Sequence, residues 1–197
     1  MPLNAQAITK LITEFPALQK TVRGRPIIFF DGPGGTQVHG SVITAMSRYL
    51  VESNANFHGT FLYSQRTDET IAAAREAMAD LLNAPRPEEI VFGPNMTTLT
   101  LNLSRAIGRT LSPGDEIVVT RLDHDANIAP WLALQESGAV IRVVDFDPQD
   151  CTLDMTGFER AITSKTKLVA LGYASNAVGT INDVRHVIAM AHAAGAW

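Results

Sequence analysis

The sequence predicts an α/β fold: a mainly parallel sheet with flanking helices. Three observations predict it. From Glu89 onward, short apolar runs rich in Val, Ile and Leu alternate with helical segments. Turn residues separate them, as at Gly93-Pro94-Asn95, Ser112-Pro113-Gly114-Asp115 and Gly138. The 197 residues, 46% of them hydrophobic, suffice for one sizeable core, or one domain plus an extension.

In chain order, Asn4 to Lys20 has helical spacing, with Ile8, Leu11, Ile12 and Phe15 on one face and Pro16 disturbing its end. Gly24-Arg25-Pro26 is a break, and Ile27–Phe30 reads as a short apolar strand. The loop Asp31-Gly32-Pro33-Gly34-Gly35-Thr36 lacks both the Gly-Lys-Ser/Thr ending of a P-loop and the Gly-x-Gly-x-x-Gly order of a dinucleotide turn. It reads as a tight turn bringing backbone close to something. Ser41 to Val51 is helical, Ser53–Gly59 is a polar loop carrying His58, and Ser64 to Asn83 is a long amphipathic helix ended by Pro85 and Pro87.

Ile90-Val91-Phe92 reads as a buried strand, and the helix 97–109 follows it, with Thr97 or Thr98 as N-cap and Leu99, Leu103, Ala106 and Ile107 on its apolar face. Strands are expected at Glu116–Thr120, Val140–Val144 and Lys167–Leu171. Helices are expected from Ala126 to Ser137, from Asp154 to Ile162, and from an Asp183 cap to Ala194.

A net charge of −4 argues against non-specific nucleic-acid binding. A single cysteine, Cys151, allows no internal disulfide and fits a reducing, cytoplasmic setting. Met1 to Lys20 reads as neither a signal peptide nor a membrane span, and no metal site is expected.

In parallel sheets, ligands sit outside the carboxyl ends of the strands. Three loops there carry polar residues: Asn95-Met96-Thr97-Thr98, Asp123-His124-Asp125 and Ser175-Asn176. A helix start offers free N–H groups and a partial positive charge to a phosphate. An imidazole and an amide nearby suit a flat, phosphorylated, hydroxyl-bearing heterocycle. Each residue also has a plainer reading: the threonines as caps, His124 bonded between its flanking aspartates, and Asn176 shaping a turn.

The motifs together resemble the N-terminal half of a class V aminotransferase, the fold-type I pyridoxal-phosphate (PLP) group that contains cysteine desulfurases. The residues carrying the resemblance are Phe30-Asp31…Gly35-Thr36, Asn54-Ala-Asn-Phe-His58, Glu88-Glu-Ile-Val-Phe…Thr97-Thr98…Asn102-Leu103, Asp123-His124-Asp-Ala-Asn127-Ile-Ala-Pro-Trp131 and Ser175-Asn176…Gly179-Thr180. The resemblance implies an incomplete PLP-transferase large domain with an N-terminal helical arm. Residues 1–60 would form the arm and substrate-side loops, and 61–197 the first part of the truncated large domain. Met96, Thr97, Thr98, His124 and Asn176 would bind pyridoxal 5'-phosphate, with His124 stacked on its ring and moving protons. Gly35, Thr36 and His58 would line the substrate side.

The sequence departs from the family at Gly32–Gly35, at Met96 in place of glycine, at Leu99 in place of glutamate and at Asp123 in place of glutamate. These mark a divergent branch. By the resemblance, the Schiff-base lysine falls beyond Trp197, so this chain alone is expected to be inactive. The full-length protein is expected to be a homodimer acting on an amino acid, with no nucleic-acid or membrane partner. Two other readings stand beside it: a dinucleotide-binding module using Gly32–Thr36, and a non-catalytic interaction fragment.

Overall fold

The structure, a computed structural model, describes residues 4–197 and divides into two compact units, Met1–Phe92 and Gly93–Trp197. Expectations that fall on residues 1–3 lie outside the described residues. No helix among the described residues is long and apolar enough to cross a membrane.

In the first unit, α1 (Ala5–Thr13) starts at Asn4, whose Oδ1 accepts from the Ala7 N–H at 2.8 Å. It ends before Pro16, and a 3-10 turn covers Pro16–Gln19, so the helical spacing up to Lys20 splits in two. A small hairpin missed in the sequence pairs β1 (Thr21–Val22) with β2 (Arg25–Pro26). Its turn residues Arg23 and Gly24 both take positive φ. α2 (Gly40–Glu52) and α3 (Leu62–Leu82) follow, joined by the Ser53–Phe61 loop. The buried Thr67 on α3 holds that loop by donating its hydroxyl to the Ser53 carbonyl, and Arg66 donates to the Glu52 carbonyl at 3.1 Å.

Two expected strands are absent. Ile27–Phe30 and Ile90–Phe92 belong to no ladder among the described residues. Phe30 is 95% exposed and Val91 71% exposed, although Ile90 is buried. Apolar, β-branched composition makes a segment suitable for a sheet, but a strand also needs a neighbour to pair with, and among the described residues neither segment has one.

The second unit is built on β3 (Glu116–Thr120), flanked in parallel by β4 (Val140–Val144) and β5 (Thr166–Val169), in the order β4-β3-β5. Every residue of β3 is buried, as a central strand covered on both faces must be. Its side chains alternate between two cores. Ile117 and Val119 pack with Trp131, Leu168 and Ala170, bordered by Ile107 and Leu134. Val118 packs oppositely with Val144, Phe158 and Val187. Helix α4 (Met96–Gly108) and the short α5 (Ala129–Leu132) thus cover one face, and α6 (Met155–Ala161) and α7 (Val184–Ala193) cover the other. The result is the α/β class expected, with a parallel sheet between helices.

The helix expected over Ala126–Ser137 is broken into a 3-10 turn at Asp125–Asn127, the single α turn α5, and a further 3-10 stretch at Ala133–Ser137. Pro130 has no N–H to donate, so the α-helical ladder cannot run through it. Beside β5, on the edge away from β3, the Trp197 N–H donates to the Lys167 carbonyl at 3.0 Å, and its carbonyl accepts from the Val169 N–H at 2.8 Å.

Candidate cofactor site

The site begins at the start of α4. The N-cap is Asn95, not Thr97 or Thr98: its Oδ1 accepts from the Thr98 N–H at 2.9 Å, and its carbonyl from the Leu99 N–H at 3.1 Å. Asn95 follows Pro94 and is extended (φ −168°), the backbone state an N-cap needs, whereas the threonines are already helical. With Asn95 as the cap, both threonine hydroxyls and the N–H groups of Met96 and Thr97 have no protein acceptor among the described residues. The helix start therefore offers two N–H donors, two hydroxyls and the positive end of a 13-residue dipole.

Packing directs that end toward the carboxyl edge of the sheet. The last turn of α4 lies by Leu134, where a Cβ added to Gly108 would come within 2.6 Å of Leu134 Cδ2. The chain then turns into the first residue of β3. A 13-residue helix is about 20 Å long and a five-residue strand about 17 Å, so the helix start reaches the level of the strand's end. α4 also packs against the Asp125–Asn127 turn, which follows the end of β3.

His124 opens that turn. Its Nδ1 accepts from the Ala126 N–H at 3.0 Å, so the neutral ring carries its proton on Nε2. It is not bonded between Asp123 and Asp125. Asp123 is committed elsewhere: its Oδ2 accepts from Thr120 Oγ1 at 2.7 Å and its Oδ1 from Asn127 Nδ2 at 3.1 Å. Asn127 Oδ1 in turn accepts from Trp131 Nε1 at 3.4 Å.

Beyond β5, the Ser175–Thr180 loop closes on itself. The Ser175 N–H donates to the Thr180 carbonyl at 2.9 Å, and Ser175 Oγ accepts from the N–H groups of Ala177 and Val178 at 3.3 Å. Ser175, not Asn176, shapes this turn. Asn176 is exposed and its amide has no partner among the described residues. The loops after β3 and β5 meet at Gly172, where an added Cβ would sit 2.5 Å from Asp123 Oδ1. Met96, Thr97, His124 and Asn176 are all solvent-facing and Thr98 is half-buried, so the groups assigned to the cofactor are open to a ligand.

The residues assigned to the substrate lie in the first unit. Gly35 and Thr36 follow a 3-10 turn at Gly32–Gly34, and both are exposed. A Cβ at Gly35 would meet nothing within 4 Å among the described residues. His58 holds a left-handed backbone (φ 66°), and its N–H donates to both Asp68 oxygens at 3.0 and 3.1 Å. With Phe57, Asp68, Ile71, Ala72 and Arg75 it borders a groove of about 330 Å³.

Three members of the arrangement were not assigned a role from sequence: Asn95, Asp123 and Gly172. The spacing Thr120-x-x-Asp123-x-x-x-Asn127 carries a local signal for the second, and Pro94-Asn95 for the first. Nothing local marks Gly172, whose constraint comes from another strand's loop.

At the opposite, amino edge of the sheet, a second polar cluster serves stability. Glu116 is 4% exposed, accepting from Arg142 Nη2 and Thr163 Oγ1, both at 2.6 Å. The Arg142 guanidinium, then Thr163, holds the Glu116 carboxyl below its ordinary range against the opposing effect of burial.

A parallel sheet covered on both faces thus carries a free helix start, an imidazole and an amide on the loops at its carboxyl edge. The profile of class V aminotransferases matches residues 28–197, and the chain belongs to that family. It is 35% identical over 192 residues to a probable cysteine desulfurase of Mycolicibacterium paratuberculosis, covering 96% of this chain and 28% of that protein. It is 38% identical over 192 residues to the cysteine desulfurase of Serratia proteamaculans, covering 95% of this chain and 47% of that one. The structure superposes on the apo cysteine desulfurase of Thermococcus onnurineus with a TM-score of 0.86 at 28% identity, over 95% of this chain and 45% of that chain. For the cysteine desulfurase CsdA of Escherichia coli the TM-score is 0.80 at 31% identity, over 95% and 46%. The chain thus spans less than half the length of these relatives.

Proposed function

We propose that this chain supplies the phosphate-binding and ring-binding part of a PLP-dependent enzyme that acts on an amino acid, of the cysteine desulfurase type. The observation that carries the reading is the start of α4, where Asn95 caps the Thr98 N–H and leaves the N–H groups of Met96 and Thr97 and the hydroxyls of Thr97 and Thr98 without a partner among the described residues. Those donors fit a phosphate dianion, and the chemistry of the three loops fits the rest of the cofactor. When bound, PLP supplies an electron sink for charge developing at the amino acid's α-carbon.

The chain's own residues do the positioning. The N–H groups of Met96 and Thr97 and the hydroxyls of Thr97 and Thr98 bind the phosphate. His124 lies against the ring and, with its proton on Nε2, holds or passes a proton at that atom. The Asn176 amide donates to the ring hydroxyl. Gly35, Thr36 and His58 bound the amino-acid side. We place the whole enzyme in the cytoplasm as a homodimer.

The test is a titration of the purified chain with PLP and with pyridoxal, followed by tryptophan quenching. PLP should bind more tightly than pyridoxal, and Thr97→Val with Thr98→Val should remove most of the difference. Each lost hydroxyl contact to a charged group is worth about tenfold in affinity. Equal affinity for PLP and pyridoxal would refute the assignment of the phosphate to α4.

A further inference from the structure

We propose that Asp123 is the positioning residue of this site, holding the His124 loop and the loop after β5 in one arrangement. The inference rests on the reading of His124 as the group that meets the cofactor ring. Three observations support it. First, both carboxylate oxygens of Asp123 are in use, Oδ2 by the Thr120 hydroxyl at the end of β3 and Oδ1 by the Asn127 amide on the far side of His124. His124 is therefore flanked within its own turn by two fixed points, three residues before Asp123 and three residues after His124. Second, the Asn127 amide cannot reverse freely, because its oxygen accepts from the Trp131 indole and Trp131 is buried in the core beneath the sheet. The orientation of Asp123 is thus referred back to a core side chain. Third, the carboxylate fills the space that a side chain at residue 172 would need, with Oδ1 2.5 Å from an added Cβ. The Gly172 carbonyl accepts from Asn182 Nδ2 at 2.7 Å, which fixes that glycine from its other side.

The consequence is a two-loop lock. Moving Asp123 shifts the ring of His124, and adding a methyl group at 172 displaces Asp123 and does the same from the other strand. The Nδ1 acceptor role of His124 depends on the same turn, since its donor, Ala126, lies between His124 and Asn127.

Long-range proton–nitrogen NMR spectra of the full chain test this without any cofactor. In the parent, His124 should show the neutral tautomer with its proton on Nε2. Asp123→Ala and Gly172→Ala should each average the two tautomers and weaken PLP binding about tenfold, the loss of one oriented contact. The double variant should be no worse than either alone, because both break one lock. Asp123→Asn should restore the signature: its oxygen can accept from Asn127 while its amide donates to Thr120, whose hydroxyl can turn. If Asp123→Ala does not fold, Thr120→Val, which removes one donor only, gives the same readout at smaller amplitude. An unchanged His124 signature in every folded variant would overturn the proposal. Failure of the parent to bind PLP would refute the cofactor reading instead, and the tautomer readout would still decide the role of Asp123.

Discussion

Replacing Glu116 by alanine should destabilise the second unit by about 3 kcal/mol. The carboxylate is almost fully buried, and each oxygen accepts one hydrogen bond, from Arg142 Nη2 and from Thr163 Oγ1. Charge-assisted bonds of this kind contribute about 1.5–3 kcal/mol each, and breaking a buried pair from one side costs about 3–5 kcal/mol. Two features adjust that range. Arg142 is 40% exposed, so water can solvate part of its freed charge. Its Nε is already buried without a partner among the described residues, which adds to the cost of losing the Glu116 carboxylate. Glu116→Gln keeps the shape and should cost about 1–2 kcal/mol, since Thr163 can reverse its hydroxyl while the Arg142 bond loses its ionic part.

Both tryptophans, Trp131 and Trp197, lie in the second unit, so their fluorescence in a urea titration reports on it. The pH dependence follows from the lowered carboxyl. A carboxyl held below its unfolded value stabilises the fold above that value, and the contribution is lost as pH falls through the native value. The gap between parent and Glu116→Gln should therefore be full near neutrality and close in acid. A change under about 0.5 kcal/mol for Glu116→Ala, or a gap that does not narrow in acid, would refute the argument.

Other substitutions probe other parts of the account. Asn95→Ala removes the cap of α4 and should lower stability by about 1 kcal/mol in the same urea titration. Val118→Ala empties a fully buried position on the central strand and should cost about 2–3 kcal/mol, leaving circular dichroism native. Asp68→Ala removes both acceptors that hold the His58 N–H in its left-handed turn, and hydrogen exchange at the His58 amide should quicken about tenfold.

Much of the fold could be read from local pattern. Glu116–Thr120 and Val140–Val144 were bounded correctly, because a strand buried on both faces is a continuous apolar run between turn residues. The Asp183 cap also stands where its spacing places it, with Oδ1 accepting from the His186 N–H at 3.2 Å. What failed were properties that depend on a neighbour. Ile27–Phe30 and Ile90–Phe92 have strand composition but, among the described residues, no partner to complete a ladder. Hydroxyl preference points to Thr97 and Thr98 as caps, whereas the extended backbone of Asn95 makes that residue the cap. The candidate site was legible as an order of motifs on loops, and the second unit places three of those loops along one sheet edge. The coupling of Asp123 to Gly172 was not legible, because it joins residues from two strands' loops.

The most direct test of the central claim is a nitrogen–proton correlation spectrum of the labelled chain as PLP is added. The largest shifts should fall at the amides of Met96, Thr97 and Thr98, with further shifts at Ala126 and Asn176, and none of comparable size at Gly32, Gly34 and Gly35. Saturable shifts confined to the glycine loop, with the amides at the start of α4 unmoved, would contradict it.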